Sequence, residues 1–188
     1  MNPQRNGREV AVSEVFGVML ILAVTIIVAG IVAAFSGAFS LSPGTDTLHA
    51  NIVCSEFGTG GNSAWLVFDH VSGDPINLNE IEISLGSRLS SHNQTMISNQ
   101  LSPTGADETG APLEHYIIAY GNTSSRVSVG DRFVLYADGV DANGNVYWQS
   151  TQAADRFVIG PDDYLTWQII DIQSGRPLSS GVIAAPNT

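Results

Sequence analysis

Residues 11–39, AVSEVFGVMLILAVTIIVAGIVAAFSGAF, contain no charged side chain after Glu14. At a rise of ~1.5 Å per residue the uncharged part makes a helix roughly 35 Å long, enough to cross a hydrocarbon core of about 30 Å. Val15, Phe16, Met19, Leu20, Leu22, Val24, Ile26, Ile27, Ile31, Val32 and Phe35 cover every face of that helix. An amphipathic helix would show one apolar stripe, so this one needs apolar surroundings on all sides, from lipid or from other copies of itself. The residues ahead of it, MNPQRNGREV at 1–10, are polar and basic, and Pro3 and Gly7 argue against helix there. They read as a leader, with the helix occupying 11–40.

Flanking charge sets the orientation. Arg5 and Arg8 precede the run and no Lys or Arg follows until Arg88, which puts the N-terminus in the cytoplasm and the rest of the chain outside. Ser36-Gly37-Ala38 has the small-x-small form of an ordinary secretory cleavage site, but the apolar run exceeds the 7–15 residues of such signals. A retained anchor, or a leader cut ahead of the run, fits better.

The remaining residues, 41–188, are enough for one domain with its own core. The formal charge is −11, and the seven basic residues are all Arg. An acidic surface repels phosphate backbones, so nucleic acid is not expected as a partner. Cys54 is the only cysteine, which excludes an internal disulfide and a Cys-x-x-Cys metal site, and it reads as a small buried hydrophobe on a strand.

Beyond residue 39 the period changes. Pro43 and Gly44 end the helix, and short runs rich in β-branched and aromatic residues follow at 48–57, 64–70, 76–85, 113–120, 131–137, 146–150, 156–159 and 164–171. Turns are expected at 58–62, 72–75, Asn143-Gly144 and Ser174-Gly175, where Gly or Asn tolerates positive φ. Residues 86–112, rich in Ser, Asn, Gly and Thr, are expected as surface loop with one strand near 95–97. Eight strands at this spacing predict an antiparallel sandwich, so the fold class is α+β: a long apolar helix followed by a β-sandwich domain.

Val12, Ser13, Glu14, Val15, Phe16 and Gly17, leading into a uniformly apolar helix behind a basic leader, resemble the N-terminal segment of archaeal type IV pilins. Phe68 to Leu78, with His70-x-x-Gly73-Asp74, is similar to a loop of haloarchaeal and methanogen pilin-like proteins, and Gly130 to Leu135 and Ile170 to Leu178 resemble their later strand and closing hairpin. The resemblance implies a prepilin peptidase cutting between Val10 and Ala11, followed by assembly through the helix with a pilus assembly ATPase and membrane platform.

Two accounts of Glu14 stand side by side. With Ser13 it supplies the capping oxygen and early negative charge that a helix start favours. Alternatively it pairs with the α-amine that cleavage leaves at Ala11, in the same subunit or a neighbour. Ala29, Ala33 and Gly37, and Gly30 with Ala34, recur at spacing four and would let helix backbones approach closely. The assembly residues are therefore Ala11, Glu14, Gly30, Ala33 and Gly37.

Chemistry is sparse. His49, His70, His92 and His115 are scattered without ligand spacing, and most of them are expected on the surface or in loops. Asp69, His70 and Asp74 crowd one turn, where a cation is conceivable and an aspartate bonding its own backbone is the simpler use. Asp138 to Asn145 has oxygen-rich calcium-loop character, but its Gly sits one place early and the closing Glu is missing, so an Asn-Gly hairpin explains it better. No nucleophile motif or phosphate-binding glycine loop is present, so neither enzyme activity nor a cofactor is expected. Asn93-Gln-Thr95 and Asn122-Thr-Ser124 are glycosylation sequons.

The expected function is a filament subunit, with other copies of itself as partner and the membrane as its host before assembly. Adhesive pilin is favoured over archaellin because Ser13-Glu14-Val15 looks like the pilin pattern. The alternative is a permanently anchored β-sandwich that binds a surface ligand.

Overall fold

A computed structural model describes residues 7–38, 48–87, 94–121, 124–149 and 156–186. The chain divides into two compact units, Met1–Thr45 and Asp46–Thr188. The sequons at Asn93 and Asn122, His92, Arg88, the Pro43-Gly44 break and the first six leader residues lie outside the described residues.

The first unit contains helix α1, Gly7–Ala38. It starts four residues before the expected position at Ala11. Gly7 opens the helix, where the N–H has no intrahelical acceptor in any case. The helix-breaking weight given to Gly7 was therefore misplaced. One consequence concerns Ser13 and Glu14: six residues ahead of Ser13 are already helical, so in the uncut chain the pair does not start the helix.

The second unit is all strand and turn, in order β1 (Ala50–Gly60), β2 (Ser63–Gly73), β3 (Ile76–Asn77), β4 (Ile81–Ser87), β5 (Gln94–Ser98), β6 (Ile117–Ala119), β7 (Arg126–Val127), β8 (Arg132–Tyr136), β9 (Gly139–Val140), β10 (Val146–Gln149), β11 (Arg156–Ile159), β12 (Tyr164–Asp171) and β13 (Pro177–Ala184). Every pairing is antiparallel. Two four-stranded sheets, β1-β2-β8-β6 and β13-β12-β4-β5, form the sandwich, accompanied by the three-stranded β11-β10-β9 and the ribbon β3-β7.

Alternation places the core. Leu66 and Phe68 on β2, Phe133 and Leu135 on β8, Ile81, Ile83 and Leu85 on β4, and Leu165, Trp167 and Ile169 on β12 are buried at every second position. Phe68 stacks on Phe133 within its own sheet, with centroids 5.1 Å apart, and meets Trp167 of the facing sheet edge-on at 5.2 Å. Each such ring contributes about 1.5–3 kcal/mol by leaving water. A third aromatic contact, Trp148 with Phe157 at 5.9 Å, ties β10 to β11, and the Trp148 indole N–H donates to the Tyr136 carbonyl at 3.0 Å.

The expected run at 76–85 is two strands. Asn77 breaks it, its side-chain oxygen accepting from Asn79 N and its carbonyl from Glu80 N. The run at 113–120 shrinks to β6, and the strand expected near 95–97 is β5, paired along β4. The closing hairpin turns at Gly175, φ 65°, into β13, a strand beyond the eight expected. Gly73, φ 108°, is required by crowding as well as by its dihedral, since a Cβ there would run into the His49 carbonyl and Ala50.

Two side chains close the sandwich at its edges. Ser179 Oγ on β13 accepts from Ile52 N of β1 at 2.8 Å and donates to the Ala50 carbonyl at 3.2 Å. On the other side, the Asn99 amide following β5 pairs with the backbone of Ile117 on β6.

Candidate functional site: the apolar helix

Along α1 the span Val15–Ala33 has a mean hydropathy of 3.0, and none of it is buried within the protein. Phe16, Ile21 and Leu22 are 69%, 64% and 57% exposed, and they point in different directions around the axis. Soluble monomers rarely leave more than a few hundred Å² of contiguous apolar surface uncovered, and a whole helix of it marks a membrane or protein contact. The one hydroxyl on this span, Thr25 Oγ1, donates to the Leu22 carbonyl at 2.8 Å, so the polar group is satisfied inside the helix and adds no cost in an apolar medium. Gly17 and Gly30 meet nothing within 4 Å of where a Cβ would stand, leaving the backbone accessible to close approach.

Val10 and Ala11, the expected cleavage pair, both lie in helical backbone, as do Glu14, Gly30, Ala33 and Gly37. Ala33 is exposed.

The β-domain does not assemble the cation site considered at 69–74. Asp69 and His70 are neighbours on β2 and project to opposite faces. The Asp69 carboxylate pairs with Arg132 across β8 at 2.7 Å, and Asp74 Oδ2 accepts from His49 N at 3.1 Å, fixing the start of β1. His70 is 1% exposed on the core face with Leu66 and Phe68, and neither ring nitrogen has a hydrogen-bond partner. It was expected at the surface, as His49 and His115 are. The sequence signal was present: His70 continues the buried positions 64, 66 and 68 of its own strand.

The stretch 138–145 is a hairpin. Asp141 Oδ1 accepts from Asn143 N and Asn145 N, Oδ2 accepts from the Asn145 amide, and Gly144 takes φ 79°. These bonds hold the Asp141 carboxyl below its ordinary value, the Asn145 side chain first among them. Asp138 points inward, away from that turn. Its Oδ1 accepts from Thr104 N and Oγ1 at 2.6 and 2.8 Å, and its Oδ2 from Tyr116 OH and Gln149 N at 2.8 and 2.7 Å. Four donors satisfy a buried carboxylate, so its work is to pin the 101–116 loop and β10 together. Among the described residues no three His, Cys, Asp or Glu side chains converge to hold a metal. Cys54 sits half-buried on β1, where burial pushes its thiol up to about 12, opposed by the Glu56 backbone hydrogen bond and aided by Asp69.

The apolar helix is thus the feature that calls for a partner. Residues 10–52, from the expected cleavage site through α1 to the third residue of β1, match the family model described as archaeal type IV pilin, N-terminal. No curated protein matches the chain. Among solved structures, the chain is similar to the archaellum periplasmic stator protein FlaG from Sulfolobus acidocaldarius, at 15% identity over 71% of this chain and 99% of that one, with a TM-score of 0.37.

Proposed function

We propose that the protein is a structural subunit of an archaeal type IV pilus-like surface filament, made with its N-terminus in the cytoplasm, processed by a prepilin peptidase between Val10 and Ala11, and used in adhesion. The observation that carries this reading is the exposed apolar span Val15–Ala33 inside a segment matching the pilin N-terminal model. Before assembly the helix crosses the membrane. On assembly about twenty apolar side chains exchange lipid for neighbouring helices, which costs little hydrophobic energy because both surroundings are apolar, and close packing over Gly30, Ala33 and Gly37 favours the bundle. The β-domain then lies outside, with glycans at Asn93 and Asn122.

Intact mass of the subunit in sheared filaments tests it. A chain beginning at Ala11 is expected. Retention of residues 1–10 together with absence from the sheared fraction would replace the filament with a permanent anchor. Leu in place of Ala33 or Gly37 is expected to leave membrane insertion intact and to block filaments.

A further inference from the structure

The outer face of sheet β1-β2-β8-β6 carries a pocket of about 180 Å³ between β6, β8 and the loop at 107–109. It is lined by Ile118, Ala119 and Val134, by Tyr120 and Tyr136, and by Asp107 and Glu108. Asp107 is anchored: Oδ1 accepts from Thr109 N, Thr109 Oγ1 and Ala111 N, so its position is set by the loop. Among the described residues, Glu108 and the two tyrosine hydroxyls have no hydrogen-bond partner. The pocket is strongly negative, and it shows in Tyr136, whose phenol is held above its ordinary value by burial first and then by Glu108 and Asp107.

A lining of apolar residues, two tyrosines and two acidic residues in a space of this size suits one planar cation. Arg fits best, since its guanidinium stacks on rings and bonds carboxylates at once. The chain has no lysine, so Arg is also the cation it can offer. Arg132 is paired with Asp69, and Arg156 lies over the Tyr147 ring at 4.6 Å and donates to Gln149. The Arg126 and Arg176 side chains are exposed and make no ion pair or hydrogen bond among the described residues. Arg126 borders a different cavity, with Glu80 and Asp171, and Arg176 stands in the β12–β13 turn, so neither belongs to the tyrosine pocket.

We propose that this pocket receives the Arg126 or Arg176 guanidinium of a second copy of the chain. Pocket and arginine are different patches, so the contact is heterologous, and a heterologous contact that does not close on itself propagates as a helical filament. The inference rests on the filament reading and gives it a contact between β-domains in addition to the helix bundle.

Two experiments on the full-length protein separate the two ideas. In the first, sheared-filament yield is compared for wild type, Glu108→Arg, and Glu108→Arg combined with Arg126→Glu or with Arg176→Glu. A loss on the order of tenfold with Glu108→Arg, recovered by one of the two swaps, is expected. Unchanged yield with Glu108→Arg, or loss that neither swap recovers, overturns the docking. In the second, copies carrying Glu108→Cys are co-expressed with copies carrying Arg126→Cys or Arg176→Cys in a Cys54→Ala background. A disulfide-linked dimer is expected from one pair, and its absence from both overturns the docking. Linked dimers of the cysteine pair in membranes, when the wild type yields no filaments, would keep the contact and remove the filament reading.

Discussion

The side chain of Asn99 stands in for a strand against Ile117: its Nδ2 donates to the Ile117 carbonyl and its Oδ1 accepts from the Ile117 amide, both at 2.8 Å. That pair of bonds is what one residue of an antiparallel ladder would make, and it joins the edge after β5 to the edge at β6. Asn99→Ala leaves the Ile117 amide and carbonyl without these partners beside a buried side chain, and should lower stability by about 1–3 kcal/mol. Asn99→Asp keeps the acceptor but turns a carboxylate oxygen toward the Ile117 carbonyl in place of the donor, so it should be no milder. Urea unfolding followed by tryptophan fluorescence measures both, and an unshifted midpoint for Asn99→Ala would show that the edge needs no such closure.

Asp138 receives four hydrogen bonds while 6% exposed. Asp138→Ala should cost about 3 kcal/mol or more, because Thr104 N and Gln149 N are left without this acceptor and Tyr116 OH keeps only the Gln149 carbonyl at 3.4 Å. Tyr116→Phe removes the bond to Asp138 and the longer one to the Gln149 carbonyl and should cost about 1–2 kcal/mol. The double variant should cost less than the sum, since the two share the bond between Tyr116 and Asp138. Additive losses would mean the pair does not interact.

His70 places two ring nitrogens in an apolar core without partners. Desolvating unpaired polar atoms is unfavourable, so His70→Leu should be neutral or stabilise by up to about 1 kcal/mol. Thermal unfolding decides it, and a loss of several degrees would reveal a role that the imidazole fills and leucine does not.

The Cys54 thiol has a folded value of about 12 against an ordinary 9.0, raised chiefly by burial. Its contribution to stability is therefore fully present below pH 9 and is lost as pH rises through about 12. Tyr116, pushed up by burial and by its bond to Asp138, acts in the same direction. At pH 8 alkylation of Cys54 in the folded chain should be at least about a hundredfold slower than in urea, because thiolate is the reacting form. Comparable rates in the two states would contradict a buried thiol.

Glu14 separates charge pairing from capping. In the uncut chain it lies inside α1, so the capping account applies only after cleavage at Ala11. If the new amine enters a dry filament core, Glu14→Gln should leave processing intact and reduce incorporation sharply, since breaking a buried ion pair costs about 3–5 kcal/mol. Capping alone would cost about 0.3–1 kcal/mol and leave filaments almost normal. The ratio of cleaved subunit in sheared filaments to that in membranes distinguishes them.

The apolar helix, the switch to period two after residue 47, and the turns at Gly73, Gly144 and Gly175 were legible in the sequence, because each follows from local chemistry: hydropathy, alternation, or a backbone that needs positive φ. So was the hairpin at 141–145. What the sequence misjudged was also local in appearance: Gly7 tolerated helix because terminal positions forgive it, and Asn77 split a run that its β-branched neighbours made look continuous.

The amino-acid sequence by itself determined that this chain has an all-round apolar helix followed by a strand-rich domain, since both depend on spacing along one segment. Only the tertiary structure decided that Asp138 reaches Thr104, Tyr116 and Gln149, that Ser179 and Asn99 close the sandwich, and that Asp107, Glu108, Tyr120 and Tyr136 share a pocket. The physical reason is that these contacts join residues from 11 to 129 positions apart, as in Asp138 with Gln149 and Ala50 with Ser179. Strand pairing sets such distances, and strand pairing is settled by burial of both sheets at once.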